Sequence, residues 1–239
     1  MEHVKEETRE NERGSGLGLL LPVLLLAFVS AAVWYLMGIN SSPNHEEHAT
    51  EAATQTTAAE AIGKTDKLAG KVDTLTGDFV YELGNMVTID LPNGAGKLEV
   101  GENSTENKLY KFLSDKTAAV DTVKGDWFEF TNVRFKTGGA QIDPSSLTQI
   151  KNMAAIANGF AEATFKIGGY TDNTGDSANN VGLSQKRAET VLSELKKLGA
   201  NATSFTGAKG YGPEYPVGDN ATAEGRAMNR RVAVNVKTK

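Results

Sequence analysis

The chain has 239 residues, no cysteine, three histidines and a formal net charge of −5. This length allows one folded domain of ordinary size with attached segments. The absence of cysteine excludes a disulfide framework, a thiolate metal site and a cysteine nucleophile. Residues 126–239 hold 14 Lys and Arg against 11 Asp and Glu, and this slight positive balance is too weak to predict a nucleic-acid partner.

The N-terminal region has the pattern of a membrane anchor. Residues 1–16 are charged and are predicted to be a cytoplasmic tail, and residues 17–39 run for 23 positions without a charge, longer than the ~20 residues that a spanning helix needs. Basic residues precede this run and none follows until Lys64. The positive-inside rule therefore predicts a single-pass inner-membrane protein with a periplasmic C-terminal part.

Two alternatives concern the same segment. Val29-Ser30-Ala31 resembles a cleavage site for a signal peptide, which would leave a periplasmic or outer-membrane-associated protein. The apolar run continues to Met37, which favours an uncleaved anchor in contact with the lipid bilayer. The span holds no ionisable side chain for proton transfer, but Gly14 and Gly18 leave open a membrane-protein partner or a homodimer.

Residues 40–77 are rich in Ala, Thr and Glu and are predicted to be a periplasmic linker. His45 and His48 flank two glutamates, but we expect no metal site in a solvated, low-complexity run. The last part of the linker has apolar residues at a spacing that predicts a short amphipathic helix. These residues are Ile62, Leu68, Val72 and Leu75.

Residues 78–125 are predicted to be a small accessory α+β module that packs beside the next domain. Alternating apolar residues predict three strands, at 79–83, 87–91 and 97–100. A helix at 106–113 follows, with Ser104 or Thr105 as its N-cap. Nothing in this module has a catalytic pattern.

Residues 126–239 alternate strands and helices. The order β-α-β-α-β-β predicts an α+β two-layer sandwich, with helices on one face of a mixed sheet. The predicted strands are 128–135, 164–170, 203–210 and 232–236. The first predicted helix is 145–161, and the second ends at Gly199. A Gly/Pro/Asn-rich loop spans 211–225.

The second helix carries one residue that its pattern does not explain. Leu183, Val191 and Leu195 form a core-facing stripe, and Arg187 lies on that stripe. Its stem can lie on apolar surface with the guanidinium in water, or its fork of donors can meet a carboxylate. Asp172, at the end of the preceding strand, is either an internal ion-pair partner or half of a site for a ligand with an ammonium and a carboxylate.

These residues carry a resemblance to a known family. The chain is similar to the signature of the OmpA-like peptidoglycan-binding domain at several positions in the same order. These positions are Thr171-Asp172, Leu183-Ser184, Arg187-Ala188, Val191 and Leu195. The segments 169–175, 210–212 and 225–232 match it in the same order, with Tyr170 where His is common. The resemblance covers 126–239 and implies that Asp172 and Arg187 hold the amino and carboxylate groups of diaminopimelate in the peptidoglycan stem peptide.

Three further residues are candidates for the same site. Thr171 and Asn180 can add hydrogen bonds around Asp172, although Asn in such a loop is equally often a turn former. Arg230 and Arg231 are predicted to enter the last strand, where neighbours point to opposite faces, so at most one reaches the pocket. We include Arg231.

The sequence predicts a binding protein rather than an enzyme. The three histidines lie outside 126–239, which excludes a Ser/His/Asp triad or a histidine metal site there, and 169–175 lacks the Lys-Ser/Thr of a phosphate loop. A carboxylate-only hydrolase using Asp172 and Asp176 is the remaining catalytic alternative, and we expect no cofactor. The predicted function is a non-catalytic envelope protein that tethers membrane to cell wall through peptidoglycan. A wall-anchored stator-like or secretion-complex subunit is the alternative.

Overall fold

The structure, a computed structural model, describes residues 69–239. The predicted tail, membrane span and most of the predicted linker lie outside the described residues. Over 69–239, no helix is both long enough and apolar enough to cross a membrane.

The described residues form eight strands and four α-helices, with short 3-10 turns between them. The strands are β1 Gly70–Val72, β2 Phe79–Tyr81, β3 Met86–Leu91, β4 Gly96–Gly101, β5 Asp126–Glu129, β6 Thr164–Tyr170, β7 Phe205–Gly212 and β8 Val232–Thr238. The helices are α1 Thr105–Ser114, α2 Leu147–Gly159, α3 Ser177–Lys197 and α4 Ala223–Asn229.

A mixed four-stranded sheet is the centre of the fold. Its strand order is β5-β8-β6-β7, with β8 antiparallel to both β5 and β6. β6 and β7 are parallel, as a crossover through helix α3 allows. The prediction of a mixed sheet in an α/β arrangement is confirmed.

Alternating residues give the sheet two different faces. Phe165 and Ile167 of β6 are buried, as are the three valines of β8 at 232, 234 and 236. They form one hydrophobic cluster with Ile150 of α2 and Val191 of α3. Both long helices therefore cover the same face, and polar and aromatic side chains occupy the other.

The first strand of the sheet is shorter than predicted. It ends at Glu129, and further along the chain an isolated bridge joins Phe135 to Ile142. After Glu129, side chains of other elements accept hydrogen bonds from the backbone N–H groups of the chain. The N–H of Thr131 donates to Thr105 Oγ1, the N–H of Asn132 to Gln149 Oε1, and the N–H of Arg134 to Ser146 Oγ.

The prediction of an amphipathic helix before residue 77 is wrong for those of its residues that the structure describes. Residues 70–72 form β1, which pairs with β2, and Leu75 is 95% exposed. The carboxylate of Asp73 accepts the N–H groups of Leu75 and Thr76, and Gly77 has φ +74°. This local turn joins β1 to β2 as a hairpin instead of continuing a helix.

The strands β3 and β4 and helix α1 occur where the sequence predicts them. Ser104 is the N-cap of α1 and accepts the N–H of Asn107 at 3.3 Å. Leu91, Val100 and Leu109 lie in the same hydrophobic cluster as the residues of the main sheet. This part of the chain extends the core of the sheet domain, and the proposed boundary at 126 stays a prediction.

Candidate functional site

Asp172 lies immediately beyond the end of β6, in the loop that leads to α3. The N–H of Thr171 donates to Gly212 O at 2.9 Å, which holds the start of the loop against β7. Asp172 Oδ1 accepts the N–H of Thr174 at 2.9 Å, and Oδ2 accepts Arg230 Nη1 at 2.7 Å. Both carboxylate oxygens are therefore oriented by the protein.

Helix α3 places Arg187 at the edge of the core. The helix starts after Asp176, whose carboxylate accepts the N–H of Asn179, and Gly199 with φ +93° follows its end. Arg187 is only 8% exposed, although it lies on the rim of a cleft.

One side of the Arg187 guanidinium is fixed and the other is available. Its Nε donates to Gly139 O at 2.9 Å, and its Cζ lies 5.1 Å from the centre of the Phe135 ring. Within 69–239 the terminal nitrogens, Nη1 and Nη2, have no hydrogen-bond partner. This is a pre-oriented fork of donors for an oxyanion.

Arg230, which the sequence analysis did not include in the site, is the arginine that binds Asp172. Its Nη2 also donates to Gly77 O at 2.7 Å, in the turn between β1 and β2. No ion pair joins Asp172 to Arg187 among the described residues, so the internal-pair alternative is wrong. Arg230 connects the β1–β2 hairpin to the loop after β6.

Arg231 is held inside the fold. Its side chain is 5% exposed, its Nε lies 2.9 Å from Glu129 Oε1, and its Nη2 donates to Tyr215 O. Its guanidinium also lies 3.9 Å from the centre of the Tyr170 ring. Both Arg230 and Arg231 line the cleft, which corrects the prediction that at most one does. The reason is that helix α4 ends at Asn229 and β8 starts at Val232, so neither arginine lies in a strand.

Thr171 and Asp172 in the loop after β6, and Asn180 in the first turn of α3, are not among the residues that line the cleft. Thr171 is buried, and its Oγ1 has no hydrogen-bond partner. Asn180 Nδ2 donates to Thr174 O at 2.9 Å and so ties the loop to the first turn of α3.

The cleft has a volume of about 700 Å³ and an excess of positive charge. Part of its wall is aromatic and comes from the β1–β2 hairpin, through Phe79 and Tyr81. The charged side chains that line it are Arg134, Lys136, Arg187, Arg230 and Arg231, against Asp78 and Asp143. Arg230 and Arg231 are already paired with Asp172 and Glu129, so the cleft keeps a small excess of positive charge, which matches a ligand carboxylate.

Both central residues, Asp172 and Arg187, are charged near neutral pH. Burial raises the pKa of the Asp172 carboxyl, but the hydrogen bonds from Arg230 and Thr174 outweigh it, so this pKa lies below its usual value. Burial and the neighbouring Arg230 lower the pKa of Arg187, yet a guanidinium stays protonated in proteins. Between residues 69 and 239, no group of His, Asp and Glu has an arrangement that could hold a metal ion.

Comparison with known proteins identifies the family. The model of the OmpA family matches residues 134–230. The protein YfiB of Escherichia coli (strain K12) is 35% identical over 135 residues, which are 54% of this chain and 84% of that protein. The peptidoglycan-binding protein ArfA of Mycobacterium tuberculosis (strain H37Rv) is 35% identical over 123 residues, 52% of this chain and 36% of that protein.

A solved structure and the lengths of the relatives complete the comparison. The crystal structure of the periplasmic domain of Helicobacter pylori MotB is 22% identical, has a TM-score of 0.44, and covers 51% of this chain and 80% of its own. The chain spans about half or less of the length of several other curated relatives. With a relative matched over most of its length, the chain belongs to the OmpA family.

Proposed function

We propose that this chain is an envelope protein that binds peptidoglycan non-covalently, through the cleft between Arg187 and Arg230. The observation that carries the proposal is the Arg187 guanidinium, whose Nε is fixed to Gly139 O while its terminal nitrogens have no partner among the described residues. The cationic balance of the cleft and the peptidoglycan-binding relative ArfA support it.

The proposed ligand centre is diaminopimelate of the stem peptide. Arg187 binds the carboxylate of its side chain with two parallel hydrogen bonds, which the planar guanidinium favours. Asp172 accepts the neighbouring ammonium. The Asp172 carboxylate accepts hydrogen bonds from Arg230 and from Thr174, and a carboxylate has about four acceptor positions, so an ammonium can be added without breaking the Arg230 contact.

The other candidates have supporting roles in this proposal. The hydroxyl of Thr171 is buried and without a hydrogen-bond partner, so Thr171 supports the loop from inside the fold, and Asn180 keeps the loop in shape. Arg231 forms part of the wall and stays paired with Glu129. The remaining positive side chains attract the other carboxylates of the stem peptide.

Binding at one site is expected to be modest. A hydrogen bond to a charged group contributes ~1.5–3 kcal/mol. Many identical stem peptides along the wall would raise the effective affinity of several anchored copies. With the predicted span at 17–39 and the predicted linker at 40–77, such binding would tether a membrane to the wall.

Calorimetric titration of the full-length chain in mild detergent tests the site. The ligands are a stem peptide with diaminopimelate and its counterpart with lysine, which lacks the second carboxylate. We expect wild type to prefer the first peptide. Arg187→Ala should weaken its binding by ~10–100-fold, equivalent to ~1.5–3 kcal/mol.

The matched control is Lys186→Ala, which removes a positive charge from the exposed neighbouring position of the same helix. It should leave both affinities unchanged. Unchanged binding by a folded Arg187→Ala protein would falsify the site assignment.

A further inference from the structure

The chain contains the same short sequence twice, at 72–78 and at 120–126. Val, Asp, Thr, Gly and Asp are identical at five of the seven positions, the fourth position is Leu or Val, and an aromatic residue follows each copy. The first copy connects β1 to β2, and the second leads into β5. We call these two segments the repeat turns.

The repeat turns have the same backbone conformation. The carboxylates of Asp73 and Asp121 each accept the N–H groups two and three positions later, at 2.8 and 3.2 Å in the first copy and at 2.9 Å in the second. The carbonyl oxygens of the same aspartates accept the N–H groups of Gly77 and Gly125, both at 2.8 Å. These glycines have φ of +74° and +79°. The turn therefore requires the aspartate and the glycine, and the fold explains why both are repeated.

The fold does not explain the repeated threonine and the aliphatic residue after it. Thr74 and Thr122 are exposed, and within 69–239 neither hydroxyl has a hydrogen-bond partner. Leu75 and Val123 are 95% and 92% exposed. Turns favour Gly, Pro, Asn, Asp and Ser, and an apolar side chain at a turn tip gains nothing from burial. One exposed apolar residue is ordinary, but the same pair at the same position of two equal turns indicates recognition by another protein.

We propose that Thr74 and Thr122 are modification sites at which a transferase attaches a sugar through the hydroxyl oxygen. The transferase binds the rigid turn and the aliphatic side chain after the threonine. The threonine Oγ1 forms a bond to the anomeric carbon of a sugar carried by a phosphate donor, and the bond from that carbon to the phosphate oxygen breaks. The hydroxyl proton passes to a base of the transferase. This modification does not depend on the cleft beside Arg187 or on its ligand.

The charge of the repeat turns favours a sugar over a phosphate. Each turn carries two aspartates, at 73 and 78 in the first copy and at 121 and 126 in the second. A phosphate on the threonine would add up to about two negative charges beside these carboxylates and would be repelled, whereas a neutral sugar adds no charge. A sugar would also cover the exposed aliphatic side chain, because a glycan is bulky and hydrophilic.

Two neighbouring threonines, Thr76 and Thr117, are internal controls. Both are exposed and lie close in sequence to the proposed sites. Thr76 Oγ1 accepts the N–H of Asp78 at 3.3 Å, and Thr117 Oγ1 donates to Asp115 Oδ1 at 2.6 Å. Their hydroxyls are held by the protein, and neither threonine is followed by Leu or Val. Neither should therefore carry a sugar.

Peptide mass mapping of the full-length chain, purified from its native organism, tests the inference. Cleavage after lysine gives the peptides 72–97 and 117–124, each with one proposed site and one control threonine. We expect a sugar mass on Thr74 and on Thr122, located by fragmentation that leaves the sugar attached. The control threonines should be bare.

Two variants test the role of the aliphatic residue, and each is the matched control of the other. Leu75→Asp should lower the occupancy of Thr74 at least about tenfold, because an apolar pocket rejects a carboxylate. It should leave Thr122 occupied, and Val123→Asp should have the opposite result. Both side chains project from the fold, so circular dichroism should be unchanged.

A bare threonine at either proposed site of the wild-type chain would overturn the inference. A phosphate in place of the sugar, or an equal sugar on the control threonines, would do the same. So would unchanged occupancy in either variant.

Discussion

Two adjacent arginines make ion pairs in two different environments. Arg230 lines the cleft beside Arg187 and pairs with Asp172, and the two paired side chains are 34% and 12% exposed. Arg231 pairs with Glu129 between the sheet and the loop after β7, where the side chains are 5% and 15% exposed. The two pairs are similar in length, at 2.7 and 2.9 Å, and their carboxylates are similarly buried, so the difference in access to water lies in the two arginines.

The difference separates a pair that a ligand can share from a pair that supports the fold. Water and ligand reach Arg230, so its contact with Asp172 can be rearranged at small cost. Arg231 is enclosed by the Tyr170 ring, by Glu129 and by Tyr215 O. Its loss would leave the Glu129 carboxylate, which is 15% exposed, without its cation.

The largest expected effect is therefore on stability and comes from Arg231. Arg231→Ala should lower the free energy of unfolding by ~3–5 kcal/mol, the usual result of removing one partner of a buried pair. Arg230→Ala should cost less, because the Arg230 side chain is 34% exposed and water screens part of its attraction to Asp172. Urea unfolding of the full-length variants, followed by circular dichroism, measures both values.

Arg231→Lys is the matched variant for the buried pair. It keeps the charge but loses the planar fork and the stacking on Tyr170, so it should recover only part of the lost stability. Equal losses for Arg230→Ala and Arg231→Ala would show that exposure does not distinguish the two pairs.

A smaller effect is expected on ligand binding at Asp172. Asp172→Asn should weaken binding of the diaminopimelate peptide by about tenfold or more, because a charge-assisted contact contributes ~1.5–3 kcal/mol. The same substitution should have little effect on a peptide whose side-chain amine is acetylated. Calorimetry on wild type and Asp172→Asn, each with the free and the acetylated peptide, gives the coupling free energy between Asp172 and the amine. A coupling free energy of zero would show that Asp172 does not contact the amine.

The elements around Asp172 and Arg187 could be predicted because their signals are local. Asp176 caps α3 and Gly199 follows its end, and both lie within the helix's own segment of sequence. The core stripe of α3 fixes which way Arg187 faces. Helix α4 was missed because it has only seven residues, including Gly225, in a segment that otherwise reads as a loop.

The partners of the site residues could not be predicted, because they come from distant parts of the chain. Asp172 and Arg230 are 58 positions apart, and Arg230 and Gly77 are 153 positions apart. No periodicity relates such positions; only the packing of the β1–β2 hairpin against α4 brings them together, through contact of Phe79 with Ala227 and Met228. No local signal distinguishes Arg230, which binds Asp172, from the neighbouring Arg231.

The smallest expected effect is the pH dependence of the Asp172–Arg230 pair. The pKa of Asp172 is lower in the folded protein than its ordinary value, so its ionised form stabilises the fold above the unfolded pKa of ~3.9. That contribution is lost as the pH falls through the lower folded value. The stability difference between wild type and Asp172→Asn should therefore be constant from pH 7 to about 5 and shrink below about 4. Urea unfolding across this range measures it. A difference that grows on acidification would mean that burial, rather than Arg230 and Thr174, controls the Asp172 carboxyl.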